Sequence, residues 1–586
     1  MSETPVQRRL AAILAADVVG YSRLMGRDEA GTLAVLRSRR QGVFAPLVAK
    51  HQGRIFKETG DGLLAEFGSA VHAVECAADL QRAMADANQA ASETQQMQLR
   101  IGINLGDVVI EGDDVFGDGV NIAARVEGLA EPGGVAISSS VHEHVRGRIA
   151  IDFVDRGEHD VKNIERPVHV WGWSPIANLE AILNGGDHPP PVPEKPSIAV
   201  LPFDNMSGDP EQGYFADGIT EDIITDLSKV SGLFVIARNS SFAYKGKSRD
   251  LREVSRELGV RYVLEGSVRR AASRVRINAQ MIDGTNGGHV WAERYDRDLS
   301  DIFEMQDEVT RTIVGALKVK LTAGEAAERE GRSKISPEVY DLLVRARQVA
   351  LQLSPESALE ARRMFEHVIA LDPSVAAAYA RLAVTTFAEY VNRWNGATAE
   401  NLTRAMELAQ KAIEVDEIEA YGHIALAICL NWSRRLDEAE REARRAVELD
   451  PNLPESLTCL GNVLDFEGRH TEAVPLYIKA SRLDPQWDMA LHFMGRALLA
   501  ENRFDEAETA FKRRLTFSPR SDMSRFYLAA LYARTGRLEE ARAMWKEMLE
   551  VNPNFSAEHL RRTLPYRDPN VFGRLVDGLR EAGIEV

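Results

Sequence analysis

The feature that most constrains this chain is a set of four prolines, Pro451, Pro485, Pro519 and Pro553, spaced 34 residues apart. Each proline follows an apolar run with helical periodicity. An arginine and an alanine keep the same interval, at Arg435, Arg469, Arg503 and Arg537 and at Ala439, Ala473, Ala507 and Ala541. A proline stops a helix because it lacks a backbone N–H, and a small alanine lets two helices approach closely. The interval therefore predicts stacked helix pairs over residues 336–560.

This pattern resembles the tetratricopeptide repeat, a helix–turn–helix unit. Leu371-Asp372-Pro373 marks an earlier repeat, and Glu417 continues the register 44 residues later without a proline. The difference predicts a ten-residue insertion around residues 393–398. The resemblance implies an all-α solenoid with a concave groove. Two uses of it stay open: a scaffold or dimerisation arm, and a sensor that binds a protein or peptide partner.

Two segments divide the rest of the chain. Residues 184–196 hold Gly-Gly and five prolines, which predicts an extended linker. A charged segment without apolar periodicity lies at residues 324–333. The predicted organisation is a first domain, a linker, a middle domain, the repeats and a tail, at residues 1–175, 176–196, 197–320, 336–560 and 561–586.

Strand and helix patterns alternate in the middle domain, which predicts an α/β fold. The runs Ala199-Val-Leu-Pro-Phe-Asp-Asn and Phe215-Ala-Asp-Gly-Ile-Thr-Glu resemble the TolB-like amino-terminal module of multidomain bacterial regulators. Three carboxylates, Asp217, Glu221 and Asp222, fall near the start of a predicted helix over residues 216–227. We interpret them as first-turn residues that complement the helix dipole rather than as ligands.

The first domain begins with an apolar strand that ends at Asp17. A helix-length segment follows at residues 29–50, and Thr59-Gly60-Asp61-Gly62 then predicts the tip of a hairpin. If the first strand lies beside this hairpin, Asp17 and Asp61 meet at one end of a sheet. Two such carboxylates would make a hard oxygen site for Mg²⁺ or Mn²⁺. The backbone of the turn that holds Gly20, Tyr21 and Ser22 is placed to bind phosphate oxygens.

Further polar residues follow downstream. Residues 99–106 alternate as a strand, and residues 107–111 are predicted to pair back on it as a hairpin. Gly119 is predicted to open a helix on which Asn121 and Arg125 share a face, because they are four residues apart. An arginine beside an amide suits the recognition of a phosphate group.

Three segments resemble the signature segments of class III nucleotide cyclases: Asp17-x-x-Gly-Tyr-Ser, Lys57-x-x-Gly-Asp and Asp114-Val-Phe-Gly-x-x-Val-Asn-x-x-x-Arg. The resemblance spans residues 10–173. It implies a ferredoxin-like α/β catalytic domain that forms a head-to-tail homodimer with shared active sites. It also implies the residue roles. Asp17 and Asp61 bind two divalent metal ions, and Lys57 and Asp114 contact adenine. Asn121 orients the ribose, and Arg125 stabilises the transition state.

Two further roles rest on the same resemblance. Arg100 occupies the place of an arginine that contacts the terminal phosphates. Lys162 resembles a carboxy-terminal phosphate-binding lysine, although Asn163 follows it where the family has a glycine. The chemistry of the base favours ATP, because an aspartate can accept from the adenine amino group and a lysine can donate to N1. The predicted activity is adenylate cyclase; a guanylate cyclase, an inactive cyclase-like scaffold and a two-metal polymerase or diguanylate cyclase are the alternatives.

Composition limits the partners. The formal net charge is −17, from 71 Lys and Arg against 88 Asp and Glu, so nucleic acid is not an expected partner. The three cysteines are far apart in the sequence, which excludes a disulfide framework and favours a reducing compartment. No run approaches the roughly 18 apolar residues of a membrane span. We therefore expect a cytoplasmic protein.

Overall fold

The computed structural model divides the chain into two compact units, residues 1–181 and 182–586. The residues that it describes are 7–89, 97–111, 114–146, 148–149, 153–159, 161, 167–173, 182–183, 190, 192–193, 195–247, 249–271, 273–319, 321 and 335–585. The predicted boundary at residues 324–333 and most of the predicted linker lie outside this set.

The first unit is built on a sheet whose central strand is apolar on both faces. The strand order is β2-β3-β1-β4-β6-β8-β7, and β5 pairs with β4. The strands are β1 (Gln7–Val18), β2 (Gly53–Thr59), β3 (Gly62–Phe67), β4 (Leu99–Glu111), β5 (Asp114–Phe116), β6 (Val135–Ser138), β7 (Val154–His159) and β8 (Val168–Trp173). Residues 11–16 of β1 are all buried, because helices cover both of its faces.

The helices of this unit are α1 (Tyr21–Arg27), α2 (Glu29–Arg39), α3 (Ala45–Lys50), α4 (Ala70–Gln89), α5 (Asp118–Glu127) and α6 (Ser139–Val145). A π-helical turn at residues 40–44 joins α2 to α3, so the predicted segment 29–50 is helical throughout. One sheet face packs on α2, α3, α4 and α6 through a core around Leu14, Phe67 and Ile101. The opposite face packs on α5 through Ile13, Val108 and Ala123.

One predicted turn in this sheet is wrong. Residues 107–111 do not fold back on 99–106; β4 continues straight and pairs antiparallel with β1, from Leu99 opposite Val18 to Ile110 opposite Gln7. Gly106 does not form a turn. It lies against α5 instead, where a Cβ would be only 3.3 Å from the Gly119 Cα. The strand that returns along β4 is β5.

The middle part of the second unit is α/β, as predicted. Its sheet has the order β11-β9-β12-β13-β14, with β10 paired to β12. The strands are β9 (Ser197–Val200), β10 (Asp204–Asn205), β11 (Phe234–Val235), β12 (Tyr262–Ala271), β13 (Arg274–Asp283) and β14 (Gly288–Asp298). The helices are α7 (Gly213–Ser228), α8 (Arg238–Phe242), α9 (Leu251–Leu258) and α10 (Ile302–Ala316).

The interpretation of the three middle-domain carboxylates as first-turn residues is wrong. The helix α7 begins at Gly213, so Asp217, Glu221 and Asp222 lie in later turns. Each has a basic partner instead: Lys245 bonds Asp217, Arg238 bonds Glu221, and Arg347 bonds Asp222. They are therefore packing residues rather than dipole partners.

The predicted helix pairs follow. They are α11 (Pro337–Ala350) with α12 (Pro355–Leu371), α13 (Ala376–Asn392) with α14 (Ala399–Val415), α15 (Ala420–Trp432) with α16 (Leu436–Leu449), α17 (Pro454–Phe466) with α18 (His470–Leu483), α19 (Asp488–Ala500) with α20 (Phe504–Phe517), and α21 (Asp522–Arg534) with α22 (Leu538–Val551). The ten extra residues of the second pair do not form one inserted loop. Relative to the third pair they lengthen the first helix by four residues, the turn by three and the second helix by three.

The C-terminal tail closes the stack. It forms α23 (Ala557–Thr563) and α24 (Asn570–Glu581). Phe572, Leu575 and Leu579 of α24 are buried, and Phe572 stacks on Phe526 of α21 with 5.5 Å between ring centroids. The tail thus covers the apolar face that the last repeat would otherwise expose.

The repeat stack also packs on the middle domain through the loops between repeats. Ser228 Oγ donates to Asp450 Oδ2 at 2.8 Å, and Asn239 Nδ2 donates to Asp484 Oδ2 at 2.9 Å. A shared apolar cluster of Phe234, Val254, Leu258, Leu457, Leu483 and Ala490 lies beside these bonds. Each of the two aspartates stands just before a repeat proline. No helix among the described residues is long and apolar enough to cross a membrane.

Candidate active site

The sheet of the first unit brings Asp17 and Asp61 together, as the sequence predicts. In the antiparallel pairing of β1 with β3, Ala16 lies opposite Leu63. Asp17 therefore comes next to the two-residue turn that holds Asp61. Gly60 in that turn has a φ of 47°, a left-handed conformation that glycine adopts readily. The local geometry of strand and turn thus fixes both carboxylates at one sheet end.

The two carboxylates are close enough to perturb each other. Burial, the charge of Asp61 and a hydrogen bond to its side chain raise the pKa of Asp17. A carboxylate that shares a hydrogen bond with another is stabilised by a proton or by a cation between them. The described residues hold no group of three or more His, Cys, Asp or Glu side chains arranged for a metal ion. Because both carboxylates lie at one sheet end and interact with each other, the pair is the candidate metal centre of this unit.

Two further charged residues adjoin the pair. Arg100 lies directly opposite Asp17 in the pairing of β1 with β4, and its Nε is buried without a hydrogen-bond partner. Glu127 is the last residue of α5; burial first and then the charge of Asp17 raise its pKa to about 7. Arg100 opposes this shift for both carboxylates. Arg100 therefore lies beside the carboxylate pair.

The sequence analysis assigns no role to Glu127, and the packing of α5 explains its position. A Cβ at Gly102 would lie 2.0 Å from the backbone nitrogen of Glu127, so only glycine lets α5 approach β4 this closely. Asn104 of the same strand donates to the Gly119 carbonyl oxygen at 3.1 Å. The signal in the sequence is Gly102, two residues after Arg100 on β4.

Asn121 and Arg125 lie elsewhere on α5. Ala123 and Val126 face the sheet and are buried, whereas Asn121 and Arg125 are exposed. Neither side chain has a hydrogen bond or ion pair with any residue that the structure describes. They share one face, as the spacing predicts, and this face points away from the core of their own domain.

Lys57 and Asp114 flank the same apolar cluster. Phe56, next to Lys57, and Val115, next to Asp114, both pack in the core beneath α5. The Lys57 side chain is exposed, and the backbone N–H of Val115 donates to Asp114 Oδ1 at 2.9 Å. Both residues thus adjoin, in sequence, side chains that pack β2 and β5 against α5.

The turn after β1 is defined in its backbone. Gly20 has a φ of 67° and precedes α1, and its carbonyl oxygen accepts from the Leu24 N–H. Tyr21 is half-buried against the sheet core. The side chain of Ser22 and the whole of Lys162 lie outside the described residues.

Family models match four segments of the chain. Residues 6–172 match the adenylate and guanylate cyclase catalytic domain. Residues 490–522 and 523–547 match tetratricopeptide repeats. Residues 194–312 match the second domain of HilA/YgeH-like transcriptional regulators, so the TolB-like resemblance of the middle domain is not supported.

Two relatives and one solved structure are similar to this chain. "Putative adenylate cyclase 3" of Rhizobium meliloti is 70% identical over 587 residues, covering 100% of both chains. An "Adenylate cyclase" of Streptomyces coelicolor is 36% identical over 143 residues, 24% of this chain and 36% of that one. The crystal structure titled adenylate/guanylate cyclase/hydrolase, from Silicibacter pomeroyi, is 45% identical, with a TM-score of 0.28, over 29% of this chain and 99% of that one. The chain belongs to the class III adenylate and guanylate cyclase family.

Proposed function

We propose that this protein is an adenylate cyclase that converts ATP to 3′,5′-cyclic AMP and pyrophosphate. The observation that carries the proposal is the Asp17–Asp61 pair, whose carboxylates meet at one sheet end and raise the pKa of Asp17. Two hard oxygen ligands that repel each other suit Mg²⁺ or Mn²⁺. Asp17 and Asp61 would hold two such cations. When bound, these ions make the ribose 3′-hydroxyl more acidic and neutralise the pyrophosphate leaving group.

The reaction closes a ring within one nucleotide. The 3′-oxygen attacks the α-phosphorus, its proton is released, and the bond from that phosphorus to the pyrophosphate oxygen breaks. Negative charge grows on the α-phosphate oxygens during this step. Arg125 stabilises that charge, and Asn121 orients the ribose so that the 3′-oxygen is in line with the leaving oxygen.

Two copies of the chain complete each site in this proposal. Asn121 and Arg125 are exposed on α5, and both lack a partner among the described residues of their own chain. The carboxylate pair lies at the end of the sheet. A head-to-tail homodimer would bring the α5 face of one copy to the carboxylate pair of the other, so that neither copy is active alone.

The base is recognised by complementary hydrogen bonds. Asp114 accepts from the adenine amino group and Lys57 donates to N1, which matches ATP better than GTP. Lys57 is exposed on β2, and Asp114 accepts through one carboxylate oxygen from the neighbouring backbone N–H, which leaves a second oxygen for a base.

Arg125→Ala tests the transition-state role. We expect kcat to fall about 10²–10³-fold with little change in KM, since removal of one preorganised donor has effects of this size. Arg37→Ala, an exposed arginine on α2, is the matched control. Initial rates with Mn²⁺ and ATP give both values. A near-normal kcat in Arg125→Ala would remove the residue from this role.

Two comparisons separate the alternatives. Higher initial rates with GTP than with ATP would make the protein a guanylate cyclase, and no cyclic nucleotide from either would make it an inactive scaffold. Mixing inactive Asp17→Asn with inactive Arg125→Ala protein tests the shared site. Partial recovery of activity is expected, because the mixed dimer keeps one intact site; heterodimers without recovery would contradict it.

A further inference from the structure

A cavity of about 240 Å³ that opens to solvent lies in the second unit, between the middle domain and the first repeats. The middle domain contributes residues of α7 and α8, among them Glu221 and Arg238. The repeats contribute residues of α11, α13 and α15, among them Arg347, Arg381 and Tyr421. A cavity built from two parts of a chain, and lined by both charged and apolar side chains, has the make-up of a small-molecule site.

The hydrogen-bond donors of this cavity exceed its free acceptors. The guanidinium carbon of Arg381 lies 3.5 Å from the centroid of the Tyr421 ring. The charges of Glu221 and Glu455 act on this guanidinium, but it forms no direct hydrogen bond or ion pair with any described residue. Arg347 bonds Asp222 through Nη2 at 2.9 Å, and its Nε is buried without a partner. Unpaired buried donors destabilise a folded protein, so a ligand that accepts their hydrogen bonds is favoured here.

Each carboxylate that lines this cavity already accepts a hydrogen bond. Glu221 Oε2 accepts from Arg238 Nε at 2.9 Å, and Glu455 Oε1 accepts from the Tyr421 hydroxyl at 3.2 Å. Asp484 accepts from Ser240 and Asn239. Burial also raises the pKa of Glu455 and Asp484. Asn452 Oδ1 is a buried acceptor of the lining that has no hydrogen-bond partner among the described residues, but it is uncharged. The guanidinium of Arg381, by contrast, offers a full positive charge to an anion.

The surroundings also limit how much negative charge a ligand of this cavity can carry. Arg381 is the one cavity arginine without a carboxylate partner among the described residues, and Glu221 remains close to the other two. One guanidinium binds one carboxylate in a bidentate arrangement. A doubly charged phosphate would keep part of its charge unpaired beside Glu221. The cavity thus favours a single carboxylate.

The rest of the lining is apolar. Val384, Ala388, Trp394 and Trp487 border the space. Leu353 lies at its edge, is 72% exposed and has a φ of 47°, a conformation that leucine rarely adopts. An exposed leucine in that conformation gives the edge an apolar surface that water does not favour, and a ligand with an apolar body would cover it.

We propose that this cavity binds a small monocarboxylate with an aromatic or branched aliphatic body, and that Arg381 pairs with its carboxylate. The site is independent of the proposed cyclase activity, because its residues all belong to the second unit. Its ligand contacts both the middle domain and the repeats, so binding stabilises their packing.

Isothermal titration calorimetry of the full chain at pH 7 tests the site with three probes: benzoate, 3-phenylpropionate and 4-methylpentanoate. We expect at least one to bind with a Kd below about 1 mM, and its neutral amide to bind at least tenfold more weakly. The same probe should raise the thermal unfolding temperature of the second unit. Absence of binding by all three acids, or equal binding of acid and amide, would overturn the proposal.

Two variants locate the site. Arg381→Met keeps an unbranched stem and removes the guanidinium with its charge, so we expect binding about 10–100-fold weaker. Ala388→Phe fills the cavity from the apolar side and should abolish binding while Arg381 remains. Arg404→Met, an exposed arginine on α14 that pairs only with Glu407, is the control that keeps affinity. Unchanged affinity in Ala388→Phe would exclude this cavity even if Arg381→Met fails to fold.

Discussion

Two groups of acidic residues in this protein differ in what surrounds them. The sheet-end carboxylates Asp17, Asp61 and Glu127 interact chiefly with one another, and Arg100 is the cation that opposes their repulsion. The junction carboxylates Glu221 and Asp222 face arginines instead, since Arg238 and Arg347 bond them directly. The first group has Arg100 nearby but no direct ion pair among the described residues, whereas arginines bond both carboxylates of the second group directly, although the residue types are the same.

The directions of the pKa shifts express this difference. Burial and mutual repulsion raise the pKa of Asp17, and raise that of Glu127 to about 7. Burial acts on Glu221 as well, but Arg347 and Arg238 outweigh it and lower its pKa. Carboxylates left without a counter-charge disfavour the folded state unless a cation arrives from outside. The comparison therefore separates a candidate metal site from a structural ion pair.

The largest effect should come from removing the sheet-end pair. Asp17→Asn or Asp61→Asn should lower kcat/KM about 10³-fold, because each removes a charged ligand of the proposed cations. The same changes should not destabilise the domain, since they relieve repulsion. Rates of cyclic nucleotide formation across Mn²⁺ concentrations, with thermal unfolding alongside, measure both effects.

The control for this pair is Glu143→Gln, an exposed carboxylate on α6 of the same domain. It should leave the rate and its Mn²⁺ dependence unchanged. Activity within tenfold of normal in both Asp17→Asn and Asp61→Asn would contradict the metal role, and the sheet-end group would then have no chemical distinction from the junction group.

Removing a cation from the junction carboxylates should lower the free energy of unfolding. Arg347→Met leaves Glu221 and Asp222 without one of their cations, in a site where the three side chains are only 13%, 10% and 17% exposed. Breaking a buried pair in this way typically costs about 3 kcal/mol. Urea unfolding followed by hydrogen exchange in residues 195–585 would report the loss.

Arg404→Met supplies the matched comparison. Its pair with Glu407 is 63% and 58% exposed, and exposed pairs contribute at most about 1 kcal/mol. Equal losses in Arg347→Met and Arg404→Met would mean that the junction ion pairs are no more than surface contacts, and the contrast with the sheet-end group would fail.

Local patterns predicted much of this molecule. The helix pairs follow from a strict interval, and the meeting of Asp17 with Asp61 follows from a strand beside a two-residue turn. Both depend on geometry within a short stretch of chain. The resemblance to nucleotide cyclases agrees with the family to which the chain belongs.

Long-range packing could not be predicted in the same way. Glu127 reaches the sheet end because Gly102, on another element, lets α5 approach. The turn predicted after Gly106 failed because that glycine is needed for contact with α5 rather than for a bend. Asp222 was misassigned because its partner Arg347 is more than a hundred residues away, and because α7 begins at Gly213 rather than at residue 216. In each case the deciding neighbour is distant in sequence.

Asp450 tests the comparison from within the second unit, with the smallest expected effect. It is buried where the repeats meet the middle domain, and burial raises its pKa to about 7 although Ser228 donates to it. The unfolded chain releases this proton near pH 4, so between about pH 4 and pH 7 the folded state binds more protons than the unfolded state. Stability of the second unit should fall as the pH rises through this window, by on the order of 2 kcal/mol.

Asp450→Asn should flatten that slope, and Asp372→Asn, at the equivalent position of the first repeat, should not. Urea midpoints from pH 4.5 to 7.5 decide it: an unchanged slope in Asp450→Asn would show that this carboxylate is charged in the folded state, and that burial without a cation is not what distinguishes the sheet-end group.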